Sequence, residues 1–243
     1  MPSGTPQELQ SFIDTLRRWE IGVVDELQDY TNVICKAVLE VFIKLENEAK
    51  KEGKSFAVPY LRDNFIRILD NYHAEVKWCH KGHVPTYEEY MSVARKTSTF
   101  EQLIAMSFLG MRTVTGIEAF EWLKANPRIL IAADLIGRMM DDIVSHEFEQ
   151  MREHCPSSVG CYMKEHNLSD KETLEKFEKK LEDAWKDINE ECMRPTTIDR
   201  DILMRPLNIA RVSYLFYKHG DGYTHPTCIK DDIHALFIDP VPI

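Results

Sequence analysis

Apolar positions recur along this chain at the three-to-four-residue spacing of an amphipathic helix, and no stretch alternates long enough to suggest a series of strands. Leu9, Phe12, Ile13 and Leu16 make one such stripe, and Phe65, Ile68, Leu69, Tyr72 and Val76 make another; each is expected to face a core. Three helix starts carry a capping box, in which a hydroxyl and a carboxylate three residues later satisfy each other's orphan amides: Thr5 with Glu8, Thr86 with Glu89, and Ser169 with Glu172. Pro6 adds the favoured first helical position. These signals predict helices over residues 6–20, 31–52, 58–80, 86–109, 116–125, 128–153, 170–193, 206–218 and 228–238, separated by short polar loops. The expected fold is therefore all-α, a bundle of antiparallel helices. Within 86–109 the run Thr97, Ser98, Thr99 is poor helix material, because hydroxyls compete for backbone hydrogen bonds; it reads equally as a kink or as a solvent-facing polar patch.

Length and composition narrow the class. The 243 residues show no repeat, low-complexity tract or linker-like break, so one domain over 1–243 is expected. With 44% hydrophobic and 29% charged residues, extensive disorder is not expected. The formal net charge is −10 and the basic residues are scattered, which argues against nucleic acid as a partner. No apolar run approaches the roughly 20 residues that span a bilayer, and MPSGTPQELQ resembles neither a signal nor a transit peptide. Cys35, Cys79, Cys155, Cys161, Cys192 and Cys228 form no C-x-x-C pair and read as reduced thiols. A soluble, cytoplasmic protein with no membrane partner is the expectation.

Candidate chemistry concentrates in GRMMDDIVSHEFEQ, residues 137–150. Asp141, Ser145 and Glu149 follow i, i+4, i+8 and drift only about 80° around a helix axis, and Arg138 falls in the same sector. Oxygen ligands of this type suit a hard cation such as magnesium, which keeps waters and phosphate oxygens in its other positions. The planar fork of Arg138 would meet the same phosphate. On spacing alone the segment reads rather as a solvated acidic face with an internal ion pair. Cys79, His80 and His83 lack the second ligand pair that a zinc site needs. Ser107 and Ser213 have no nucleophile elbow around them.

DDIVSHEFE resembles the second metal-binding motif of class I terpene synthases, in which Asn or Asp, then Asp, precede Ser or Thr and a final Glu. GTPQELQSFIDTLRRWE, FLGM at 108–111, FEWLKANPRIL at 120–130, AWKDINEEC at 184–192 and DGYTHP at 221–226 are similar to plant members in the same order. The resemblance covers essentially the whole chain. It implies a partial isoprenoid synthase α-domain acting on a prenyl diphosphate, farnesyl diphosphate above all, with Mg2+ or, in its place, Mn2+. Asp141, Ser145 and Glu149 would bind one Mg2+ and Arg138 the diphosphate. Thr97, Ser98 and Thr99 match the helix break that lines the family's cavity. Asp221 and Tyr223 fall in its closing loop, and either Tyr217 or Phe216 would line the mouth.

One departure matters. Members carry a first aspartate-rich motif, D-D-x-x-D, a few residues before a Gly-Thr that here is Gly4 and Thr5, whereas this chain reads MPSG there. Asp231 and Asp232 do not replace it, having no third aspartate at the required offset. The resemblance therefore implies a chain inactive or impaired by itself. A degenerate, non-catalytic helical paralogue is the competing expectation, one that binds Mg2+ or diphosphate weakly or associates through exposed apolar faces.

Overall fold

The computed structural model describes residues 5–27, 29–111, 116–150 and 157–240, with the backbone alone at 23, 25, 26, 29 and 147–150. The described residues form helices α1 (Pro6–Leu16), α2 (Asp29–Lys51), α3 (Ala57–Lys81), α4 (Tyr87–Thr97), α5 (Phe100–Gly110) and α6 (Ile117–Lys124). Then follow α7 (Arg128–Gln150), α8 (Ser158–His166), α9 (Asp170–Glu191), α10 (Arg200–Tyr217) and α11 (Lys230–Phe237). Short 3-10 turns cover Ile21–Glu26 and Pro226–Ile229. No strand occurs among the described residues, and the expected all-α bundle is what forms. None of the described helices is long and apolar enough to cross a membrane.

Local chemistry sets many of the boundaries. At α1 the Thr5 amide donates to Glu8 Oε2 at 2.6 Å while the Glu8 amide donates to Thr5 Oγ1 at 3.2 Å, so both orphan donors are satisfied. The same reciprocal pair forms at Ser169 and Glu172. At Thr86 only the hydroxyl half forms, and the Glu89 carboxylate turns instead toward His83, 3.9 Å away. The C-terminus of α5 is held from a distance: the Lys54 ammonium, 8% exposed, donates to the carbonyls of Phe108 (3.0 Å), Leu109 (3.1 Å) and Met111.

Three elements differ from the periodicity reading. The segment 86–109 is two helices, broken where Thr99 takes a left-handed φ of 65°. That conformation costs a β-branched residue about 1–3 kcal/mol, so the surrounding packing must impose it. Helix α8 has no counterpart in the pattern; it is short and rich in weak helix formers, and Val159 and Cys161, both at most 1% exposed, are held by the core they enter beside Tyr87 and Phe177. Helix α10 begins at Arg200 rather than at Pro206, because Asp199 caps it by accepting from the Asp201 amide; Pro206 then lies inside the helix, buried. The expected end of α7 at 153 lies outside the described residues.

Helix α7 is the axis of the bundle, packed against α4, α5, α8, α9 and α10. Ile129, Leu130, Ala132, Ala133, Ile136 and Met139 on it are all 3% exposed or less. Burying such a stripe contributes about 1.5–3 kcal/mol for each large side chain, and it fixes the rotation of α7. Rotation matters because the residues left over on that helix then face a common space.

Candidate functional site

That space is a cavity of about 870 Å3 bordered by α3, α7, α10, the α4–α5 break and the loop after α10. Helix α7 presents Gly137, Arg138, Asp141, Val144 and Ser145 to it. The Arg138 guanidinium donates to Asp141 Oδ2 at 3.2 Å and to Asp142 Oδ1 at 3.5 Å, and its Nε donates to the Ala94 carbonyl at 3.2 Å. Burial opposes its charge, yet the anionic groups around it, Asp142 foremost, hold its proton more tightly than usual. Burial also pushes the Asp141 carboxyl up to about 6, with Arg138 pulling the other way and Asp142 and Asp221 adding to the rise. The Tyr217 hydroxyl faces Asp141, and its own pKa is raised by burial and by Asp141 and Asp221.

Ser145 lies one turn beyond Asp141, and its Oγ is buried with no hydrogen-bond partner among the described residues. An orphaned hydroxyl is costly unless something outside the protein completes it. A carboxylate and an unsatisfied hydroxyl one turn apart, beside a cavity, fit a hard cation with oxygen preference. The Glu149 side chain, expected to complete the set, lies outside the described residues.

The other face of the motif does different work. Asp142, 2% exposed, accepts from the Ser158 amide at the start of α8 at 2.8 Å, and the Tyr90 hydroxyl faces it. His146 Nδ1 lies 3.2 Å from Ser157 Oγ, the N-cap of α8, and its Nε2 lies 3.8 Å from Asp170 at the start of α9. The i, i+4 pair at 142 and 146 thus clamps α7 to its neighbours and holds 141 and 145 toward the cavity. Sequence reasoning missed both residues, although their spacing copies that of Asp141 and Ser145 one position on.

At the break, Thr97, Ser98 and Thr99 all border the cavity, so the run is the kink and not a solvent-facing patch; Thr97 is 3% exposed. Each residue is pinned differently. Thr97 Oγ1 donates to Glu75 at 2.8 Å, while the Tyr72 hydroxyl donates to the Thr97 carbonyl at 3.0 Å. Ser98 Oγ lies 3.5 Å from Asp134 on α7. Just beyond, the Glu101 carboxylate accepts from Tyr60 (2.6 Å), Arg67 (2.8 Å) and Lys96 (3.0 Å), tying α3, α4 and α5 together. Burial would raise the Glu101 pKa, but these three donors overcome it and hold the carboxyl below its usual range.

The loop after α10 closes the remaining side. One Asp221 oxygen accepts from the amides of Tyr223 (3.1 Å) and Thr224 (2.9 Å), which folds the loop into a tight turn. Phe216 and Tyr217 both border the cavity. Tyr223, 76% exposed, meets the Phe216 ring edge-on at 6.1 Å on the rim. Gly137, Phe100, Tyr72 and Ser213 also line the cavity and carry no motif by which the sequence could have singled them out.

This all-α bundle shares its fold with solved terpene synthases, among them abietadiene synthase from Abies grandis, which superposes with a TM-score of 0.89 at 23% identity, over 98% of this chain and 32% of that one. The sequence profile described as the terpene synthase family, metal binding domain, matches residues 2–187, and the chain belongs to that family. It is 42% identical over 241 residues to sesquiterpene synthase 2 of Toona sinensis, and 43% identical over 241 residues to a (-)-germacrene D synthase of Vitis vinifera. Each alignment covers 99% of this chain and 43% of the relative, so the chain spans less than half the length of these proteins. Among solved structures, isoprene synthase from grey poplar, Populus x canescens, in complex with three Mg2+ ions and dimethylallyl-S-thiolodiphosphate, superposes with a TM-score of 0.87 at 23% identity, over 99% of this chain and 46% of that one.

Proposed function

We propose that the cavity binds a prenyl diphosphate, farnesyl diphosphate above all, and serves its Mg2+-dependent ionisation and cyclisation with release of diphosphate. The observation that carries this reading is the polarity of the cavity: Arg138, Asp141 and the orphaned Ser145 hydroxyl gather on α7, while Phe100, Leu103, Ile209 and Phe216 form apolar wall. Asp141, Ser145 and Glu149 hold one Mg2+, and Mn2+ is an acceptable substitute for such an oxygen set. Bound there, the metal supplies Lewis-acid neutralisation of the diphosphate. Arg138, kept charged by its neighbours, orients the same group through its fork of donors. Thr97, Ser98 and Thr99 shape the wall at the break. Tyr217, Asp221 and Tyr223 border the mouth, Tyr217 and Asp221 close to Asp141; aromatic faces there would stabilise a carbocation by about 0.5–2 kcal/mol each, and the loop would exclude water.

Ser145→Ala tests the metal assignment without confounding the fold. Because the Ser145 hydroxyl has no partner among the described residues, its removal is expected to leave thermal stability unchanged or slightly raised. Mg2+-dependent binding of inorganic diphosphate, measured by calorimetry, should nevertheless weaken by about tenfold. Unchanged binding would reject the assignment.

No D-D-x-x-D occurs in the 243 residues, so the ligands for further metal ions are missing from this sequence. The polypeptide by itself is expected to turn over farnesyl diphosphate slowly or not at all. Incubation with substrate and Mg2+, followed by gas chromatography of the extract, checks this, and clear turnover contradicts it. A second reading, a non-catalytic helical protein that self-associates, is favoured by one surface: Tyr30, Val33, Ile34 and Val41 on α2 are 49–67% exposed along a single helix face. A concentration-independent monomer in sedimentation would count against it.

A further inference from the structure

Gly137 sits in the middle of α7, where glycine costs about 1 kcal/mol relative to alanine, and it has no left-handed φ to justify it. The reason is a close approach. A Cβ placed there would overlap the Phe100 ring, with Cε2 only 2.5 Å away, and would crowd Ser213 Oγ of α10 at 3.3 Å. Phe100 is the first residue of α5, set by the left-handed Thr99 before it, and its ring rests on the bare α-carbon of Gly137. Gly137, Phe100 and Ser213 all border the cavity, so any volume added at this contact comes out of the space a ligand would fill.

We infer that the Gly137–Phe100 contact sets the length of hydrocarbon chain that the cavity admits, which makes the two residues specificity determinants. This rests on the prenyl diphosphate reading above and goes beyond it. Neither residue has a group to donate, accept or coordinate at this contact. Their effect is steric: the Cζ–Cε2 edge of the ring occupies the room that a side chain at 137 would need on the helix that carries Arg138 and Asp141, which keeps open the depth beneath the charged end.

The test compares geranyl and farnesyl thiolodiphosphates, whose bridging sulfur resists ionisation, by calorimetry in Mg2+ buffer on the full 243-residue chain; inorganic diphosphate, which reaches only the charged end, is titrated into the parent chain as a separate probe. Gly137→Ala should push the ring into the cavity and lower the farnesyl-to-geranyl affinity ratio by about tenfold. Phe100→Leu should raise that ratio, and the double variant should return toward the parent, because the ring that the new methyl displaces is gone. Single variants that leave the ratio unchanged, or move it in the same direction, overturn the inference while diphosphate still binds the parent. If Gly137→Ala fails to fold, Phe100→Leu decides alone: a raised ratio supports the contact's role and an unchanged one rejects it. If the parent binds no diphosphate, the reading of the site fails and takes this inference with it.

Discussion

Asp141→Ala is expected to weaken Mg2+-dependent diphosphate binding by about 100-fold, a larger loss than at Ser145 because a charged ligand is removed. Asp142 faces away, engaged with Arg138 and the α8 amide, and Asp221 spends one oxygen on its own turn. The effect carries a pH signature. Burial above all raises the Asp141 carboxyl to about 6, and a metal ion needs it deprotonated, so affinity in the parent should fall as the pH drops through 6. In Asp141→Ala that fall should become shallower, leaving only the part due to protonation of the diphosphate itself. The fold should survive: a carboxyl whose folded pKa exceeds its unfolded value of 3.8 costs the native state stability once the pH has risen through about 6. Titration calorimetry at pH 8 and pH 5.5 gives both numbers; undiminished binding by the variant would remove Asp141 from the site.

The second large effect concerns stability. Asp134 on α7 is 1% exposed, and burial pushes its carboxyl up to about 7 from 3.8, with Lys96 and Arg95 offsetting part of the rise and Glu101 adding to it. The folded state binds this proton more tightly than the unfolded chain. The contribution of Asp134 to native stability is therefore greatest below about pH 4, declines as the pH rises toward 7, and stays reduced above it. A rise from 3.8 to about 7 corresponds to about 4 kcal/mol as an upper bound. Asp134→Asn keeps the shape and removes the charge, so at pH 8 it should be about 3 kcal/mol more stable than the parent, a large fraction of the 5–15 kcal/mol typical of a domain. Urea unfolding at pH 8 and pH 5 should show the advantage shrinking on the acid side. A variant no more stable than the parent at pH 8 would mean that Asp134 is held ionised by a stronger partner than Lys96 or Arg95.

Much of the fold was legible because helices write their own pattern. The stripe Leu9–Leu16, the caps at Thr5 and Ser169 and the apolar run of α7 all depend on residues within a few positions of each other. The hydroxyl run at 97–99 announced that something interrupts the helix, since those side chains compete with the backbone locally. Helix α8 and the start of α10 were not legible. Weak formers in α8 are overruled by burial against Tyr87 and Phe177, and Pro206 is tolerated inside a helix that an aspartate seven residues earlier caps.

For the site, the spacing of Arg138, Asp141 and Ser145 determined that they share one face, because rise and twist per residue are fixed by the backbone. Whether that face met solvent or a cavity could not follow from spacing. It was decided by the burial of the opposite face, where Asp142 and His146 lock onto α8 and α9. Nor could local pattern bring together Gly137, Phe100 and Tyr217, or leave Ser145 without a partner. Those relations join residues tens of positions apart, and only the packing of α5 and α10 against α7 creates them. Sequence determined which groups this helix could offer; tertiary structure decided where they point and what space they enclose.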